Sequence, residues 1–347
     1  MKSTASNAAT VSEPALFTPR AARRTISSTF VRVGVLPLIL LAAIVVFSLL
    51  SNNFLTSRNL TNVFRQSVFL TIVSLGQMMV LLTGGFDLSV GTTIALTSVV
   101  GAMAMAAAAA AMPDMVPLAI TIGCMAGLLS GLGIGLINGL GVALVGVSPF
   151  IMTLGLSSIG FGIALYLTGG TPVYGMPKEF GGFFGFGVFL GIPIPIWVAL
   201  GMIAGSFVLV NWTRFGRTLY AVGGNIRAAE LSGVNTKKTL LFVYMLSALF
   251  AAVAGMLLTA RMDTGEANIG SSMPLESIAA CVIAGVSLRG GIGRMENVVI
   301  GALFISLLQN GMNLARFNSY LQTIVIGCIL ILAVAVDQIR RRYILGR

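Results

Sequence analysis

The chain has 347 residues, of which 56% are hydrophobic and 9% charged; its formal net charge is +11 and it contains no histidine. Soluble domains carry about 25% charged residues, so a water-exposed globule of this length is excluded and lipid is the expected solvent for most of the chain. The missing histidine also removes Ser-His-Asp and Cys-His catalysis and the usual zinc sites.

Residues 1–31 are polar, rich in Ser, Thr and Ala, and read as a disordered tail. Residues 32–338 read as one transmembrane domain, and 339–347 as a short basic tail. A spanning helix needs about 20 mostly apolar residues. Ten stretches qualify or nearly so: 33–51, 66–83, 88–111, 117–144, 149–168, 191–210, 240–260, 276–289, 296–315 and 319–337. Stretch 276–289 is short enough to be a re-entrant half-helix, and 117–144 is long enough to need tilt or a kink. The expected fold is therefore all-α, a polytopic bundle of about ten transmembrane helices. Cys124, Cys281 and Cys328 lie in apolar runs and are expected to pack as small hydrophobes without a disulfide.

With ten spans both termini share a side. Sixteen Lys and Arg residues then fall on that side, against five (Arg58, Arg65, Lys178, Arg261 and Arg316) on the other. The positive-inside rule places both termini in the cytoplasm. The basic residues sit between apolar runs rather than among aromatics on one face, which argues against nucleic acid as a partner.

Several features lie inside the apolar runs. Glycines 123, 127, 131, 135 and 139 form one slowly drifting helical stripe, suited to close approach of another helix or to sliding against it. Asn138 ends that stripe, and Asn310 follows Gln309 in a later span; each amide needs an interhelical partner or a hydroxyl-rich solute. In Thr83-Gly84-Gly85-Phe86-Asp87-Leu88-Ser89-Val90-Gly91 two glycines break a helix. Asp87 there either caps the next helix or belongs to a pathway or gate, because a break at membrane depth is tolerated only in protein or beside a cavity. Glu276 starts a helix after Pro274, where a carboxylate is favourable. Leu288-Arg-Gly-Gly291 resembles Leu82-Thr-Gly-Gly85, which hints at an internal duplication.

The stretch 211–239 is longer than a turn between two spans requires. Asn225 is a good N-cap, 226–232 can be helical over about 10 Å, and Gly233 suits a left-handed C-terminal position. Ala228, Ala229 and Ser232 are expected to leave a smooth face for a groove on a partner.

This loop resembles the coupling loop of bacterial ATP-binding-cassette importers, specifically the ribose/xylose/arabinose-type permease family. Further blocks are similar to that family, in order over roughly 52–338: Gly84–Gly91, Gly135-Leu-Ile-Asn138-Gly139, Pro149-Phe150-Ile-Met-Thr153-Leu154-Gly155, Leu167–Gly170 with Pro172, Leu275-Glu276-Ser277-Ile278-Ala279-Ala280, and Ser287–Gly291. The chain departs from the family at Ala284-Gly285-Val286-Ser287, where a Gly-Gly-Thr-Ser type of run is common. The resemblance implies a permease subunit moving a monosaccharide or related polyol. It implies a second permease chain, most simply an identical one, a separate ATPase that binds the ATP, and a periplasmic sugar-binding protein. The chain itself has no Gly-Lys dipeptide and so no phosphate-cradling GxxxxGK[ST] loop. No cofactor is expected in it, and membrane lipid is its surrounding partner. Arg217, Gly223, Gly224, Asn225, Ala228, Ala229, Glu230, Ser232 and Gly233 are the expected ATPase-coupling residues. Asp87, Ser89, Asn138, Phe150, Thr153 and Asn310 are the expected pathway or gate residues. Two other readings stay open at this stage: an importer of nucleosides or branched-chain amino acids, and an ion-coupled secondary transporter with Asp87 as its ionisable group.

Overall fold

The computed structural model describes residues 36–345, so the tail expected for 1–31 lies outside the described residues. Twelve helices of six or more residues follow in order: α1 (Leu36–Leu50), α2 (Ser57–Leu82), α3 (Val90–Ala111), α4 (Val116–Leu140), α5 (Pro149–Thr168), α6 (Ile194–Trp212), α7 (Arg214–Gly224), α8 (Ile226–Leu231), α9 (Thr236–Met262), α10 (Met273–Ile283), α11 (Met295–Leu314) and α12 (Ser319–Leu345). A wide helical turn, Gly141–Val145, prolongs α4. The only strands among the described residues are a two-residue hairpin, β1 (Val188–Phe189) with β2 (Ile192–Pro193).

Among the described residues, seven helices are long and apolar enough to cross a membrane: α2, α3, α4 with its extension, α5, α6, α9 and α11. The apolar parts of α1, α10 and α12 are shorter, so length and composition identify seven of the ten expected spans among the described residues. Helix α10 rises only about 16 Å over its eleven residues, about half a hydrocarbon core. The non-helical stretch 263–272 makes up depth by running along α3. Gly265 pairs with Val173, the Glu266 N–H donates to Ser98 Oγ at 3.1 Å, and the Gly270 carbonyl lies against Gly91. These partners satisfy backbone that lipid could not.

Helix α2 is the hub, with every residue from Ser67 to Leu82 buried. Helices α9, α10 and α11 surround it, and α4 packs along both α3 and α9. The α4 glycine stripe makes this possible. A Cβ on Gly127 would sit 2.9 Å from the Thr97 carbonyl oxygen of α3, and one on Gly131 would sit 2.7 Å from Ala252 Cβ of α9. At the end of the bundle where α2 begins, Asn59 and Asn310 exchange side-chain amide hydrogen bonds of 2.9 and 3.0 Å and tie α2 to α11.

Candidate functional site: coupling loop and helix break

The loop between α6 and α9 folds into two helices. Thr213 opens α7 by accepting from the Gly216 N–H, and Phe215, Leu219 and Val222 turn its apolar face inward. Asn225 caps α8, its Oδ1 accepting from the Ala228 N–H at 3.0 Å. Gly233 ends α8 at φ +80°, with its N–H donating to the Glu230 carbonyl and the Val234 N–H to that of Ala229. The Thr236 hydroxyl donates to Glu230 Oε1 at 2.8 Å, fastening α8 to the first turn of α9. A motion of α8 is therefore felt directly by a spanning helix.

One expectation is corrected here. Ala229 is 4% exposed and packs into its own chain, so it does not belong to a partner-facing surface. A helix of six residues with one face on the bundle turns only the remainder outward. That outer side carries Ile226, Arg227, Ala228 and Leu231, the last 91% exposed. Arg217, Gly224 and Ser232 lie on or beside the same loop, with Gly224 and Ser232 exposed.

Gly223 turns inward. A Cβ there would overlap the Leu82 carbonyl oxygen at the end of α2 and would come 2.6 Å from the Gly291 nitrogen. The Gly291 N–H itself donates to the Leu82 carbonyl at 2.9 Å. A Cβ on Gly290 would lie 2.8 Å from the Gly84 nitrogen and 2.9 Å from the Gly223 carbonyl oxygen. Gly84, Gly290 and Gly291 all have left-handed backbone, at φ +79°, +88° and +71°, a conformation that glycine adopts without steric cost. The two Leu-x-Gly-Gly turns and the Gly223-Gly224 pair thus meet backbone to backbone. The Tyr220 hydroxyl adds a bond to the Gly293 carbonyl at 2.9 Å, and burial pushes that phenol above its ordinary pKa.

Beyond this junction the chain enters the helix break. Asp87 is fully buried and bonded through both oxygens. Its Oδ1 accepts from the Ser89 N–H at 3.0 Å and from Ser89 Oγ at 2.6 Å; its Oδ2 accepts from Ser247 Oγ of α9 at 2.8 Å. Asn138 of α4 donates to Ser89 Oγ at 2.7 Å, and Asn138 Oδ1 is buried without a partner. Tyr244 of α9 donates to the Phe86 carbonyl at 3.4 Å; Thr153 of α5, whose hydroxyl donates to the Pro149 carbonyl of its own helix at 2.8 Å, lies 3.4 Å from the same Phe86 oxygen. The break is therefore bonded to α4 and α9 and contacted by α5.

Of the residues expected at a pathway or gate, the structure brings together Asp87, Ser89, Asn138 and Thr153. Phe150 is 52% exposed, one turn before Thr153, and Asn310 is at the opposite end of the bundle with Asn59. Ser247, Tyr244 and the α7 helix were not singled out from sequence. The spacing of Phe215, Leu219 and Val222 is a helical signal for α7, whereas one hydroxyl among the apolar residues of α9 carries no local signal.

These features define an all-α polytopic membrane bundle with a structured loop between α6 and α9. The chain belongs to the family described as "Branched-chain amino acid transport system / permease component", which matches residues 59–334. It is 37% identical over 301 residues to the ribose import permease protein RbsC of Escherichia coli K12, covering 86% of this chain and 91% of that protein. It is 37% identical over 302 residues to the D-allose transport system permease protein AlsC of the same organism (87% and 90%). Identity to its galactose/methyl galactoside import permease protein MglC is 36% over 329 residues (90% and 96%). No solved structure matches the chain.

Proposed function

We propose that this chain is the permease subunit of an importer that moves a monosaccharide or related polyol into the cytoplasm, driven by a separate ATPase. The observation that carries the reading is the α7–α8 loop, a capped, exposed helix whose neighbouring glycine rests on the helix break. Such a loop suits a subunit that receives force from elsewhere. Relatives named for ribose, allose and galactose support a sugar as cargo. The division of Lys and Arg supports a loop and termini on the cytoplasmic side of an inner membrane.

In this reading Arg217, Gly223, Gly224, Asn225, Ala228, Glu230, Ser232 and Gly233 present or brace the ATPase contact, and Ala229 holds it from beneath. Asp87, Ser89, Asn138 and Thr153 act at the gate, Phe150 borders it, and Asn310 braces the outer end. The stretch 171–190, with Phe183, Phe186, Phe189 and Leu190 exposed, offers surface to a periplasmic binding protein. A second identical chain completes the pathway.

The family description favours a second reading, an amino acid as cargo. A zwitterion needs countercharges of both signs, yet the buried charged side chains among the described residues are Asp87 and Glu276, both acidic. The test is uptake by the assembled importer in proteoliposomes, with pentoses, hexoses, polyols, leucine and valine as cargo. ATP-dependent uptake of a sugar is expected; uptake that persists without ATP, or of amino acids alone, would sink the reading.

A narrower outcome concerns Leu231. A large apolar side chain left 91% exposed on a cytoplasmic helix is a natural anchor for a pocket on the ATPase. Leu231→Glu is expected to lower ATP-coupled uptake about tenfold or more while membrane yield is unchanged. Unchanged uptake would remove Leu231 from the contact.

A further inference from the structure

We propose that Asp87 is a positioning residue of the transport step, and that the coupling loop acts on it through the glycine junction at Gly223, Gly291 and Gly84. This rests on the permease reading above and adds a route and a latch to it.

The atoms nearest Gly84, Gly223, Gly290 and Gly291 across the junction are all backbone. Gly223 touches the Leu82 carbonyl that accepts the Gly291 N–H, and Gly290 touches Gly84 and Gly223 together. Backbone packed this closely transmits displacement without first compressing a rotamer. Movement of α8, delivered through Asn225 and Gly224, must therefore shift Leu82 and Gly84. Gly84 lies three residues before Asp87, and the break between them is not helical. Between them the chain is held by the Gly85 N–H on the Val80 carbonyl and by the Tyr244 hydroxyl on the Phe86 carbonyl, and beyond these it reaches the hydrogen bonds of Asp87 and Ser89 to Ser247 and Asn138.

That arrangement has the properties of a latch. It joins the break to α4 and α9, two helices that pack on each other along a glycine stripe. It contains only hydroxyl, amide and carboxylate groups, whose bonds are short-ranged and directional, so a small shift opens them. Asn138 Oδ1, on the residue that bonds Ser89, is buried without a partner. Buried polar groups are normally paired, so this is spare bonding capacity that a second arrangement of the break can use. Asp87 thus acts through Ser89, Ser247 and Asn138, without touching the solute.

The test uses two glycines as a matched pair. A Cβ on Gly205 of α6 meets nothing within 4 Å, whereas one on Gly223 overlaps Leu82. Gly223→Ala, Gly205→Ala and Ser247→Ala are compared in the assembled importer, measuring solute moved per ATP hydrolysed. Gly205→Ala is expected to match the wild type. Gly223→Ala and Ser247→Ala are each expected to lower the ratio about fivefold while ATP hydrolysis continues, and their combination to be no worse than the weaker of the two. Should Gly223→Ala fail to reach the membrane, Ser247→Ala decides alone. An unchanged ratio in Ser247→Ala, uptake and hydrolysis falling in proportion, or losses that multiply in the double variant would each overturn the proposal. A wild-type complex that hydrolyses ATP without moving solute would overturn the permease reading itself, and the latch with it.

Discussion

Gly135→Leu is expected to part α4 from α9 and to be the most damaging single change in the glycine stripe, whereas Gly133→Leu two residues earlier is expected to be neutral or slightly stabilising. At position 135 the first added carbon already stands 2.5 Å from Ala248 Cβ, 2.8 Å from the Tyr244 carbonyl oxygen and 3.0 Å from Met245 Cα. Two of those three are backbone and cannot rotate away. Overpacking a tight contact costs about 1–3 kcal/mol, and a whole isobutyl group against backbone belongs at or above the top of that range. At position 133 a Cβ meets nothing within 4 Å. There the exchange gains about 0.5–1 kcal/mol of helix propensity and exposes only apolar surface to lipid. Thermal unfolding in detergent checks the pair. The midpoint of Gly135→Leu should fall by about 5 °C or more, and that of Gly133→Leu should not fall. Equal midpoints would mean that the stripe is not a packing seam. Because Asn138 lies less than one turn beyond Gly135, the same wedge should also weaken its bond to Ser89 and lower uptake.

The stripe was legible because it is a local pattern, five glycines at a spacing the helix period places on one face. The same holds for α8, where a cap at Asn225 and a stop at Gly233 are written within nine residues. The break at Gly84 was legible for the same reason. What could not be read was anything that depends on residues far apart meeting. The Asp87–Ser247 bond spans 160 positions and the Asn59–Asn310 pair 251. Asn310 had the residue type of a pathway group, and only the fold reveals that its amide is engaged at the opposite end from Asp87. Ala229 failed differently. Small side chains read as a smooth outer face, but smallness is also what close packing against one's own chain requires, and position on a six-residue helix does not decide between the two.

The docking of 263–272 along α3 was hidden by composition. Its sequence, Asp263-Thr-Gly-Glu-Ala-Asn-Ile-Gly-Ser-Ser272, is polar and glycine-rich and reads as a surface loop. Its attachment, which buries Gly265 and Ala267, depends on Ser98 and Val173 accepting and donating to its backbone, partners supplied by two other segments. The resemblance of Leu82–Gly85 to Leu288–Gly291 was too short to establish a duplication by itself. The structure adds that the two turns touch, each placing a left-handed glycine against the other.

Asp87→Ala is expected to cost about 3 kcal/mol or more and to abolish uptake, while Asp87→Asn is expected to stay within about 1 kcal/mol of the wild type and to retain ATP-driven uptake. The alanine leaves the Ser89 N–H and the hydroxyls of Ser89 and Ser247 in a fully buried site with no acceptor. An unpaired buried donor costs about 1–3 kcal/mol. Opposing this is the relief of a carboxylate held in the interior, a burial that costs several kcal/mol when the group is ionised and far less when it is neutral. Asparagine separates these effects. Its Oδ1 keeps both bonds from Ser89, and its amide can donate to Ser247 Oγ, whose hydroxyl rotates to allow it. The clasp survives while the acid is lost. Uptake and thermal midpoint of both variants, measured side by side, then assign the role. Asparagine behaving like the wild type and alanine failing places the function of residue 87 in its hydrogen-bond geometry, as a permease moved by an external ATPase requires. If Asp87→Asn instead inserts and folds normally but loses uptake, the ionisable proton is itself used, and an ion-coupled cycle becomes the better account of the break.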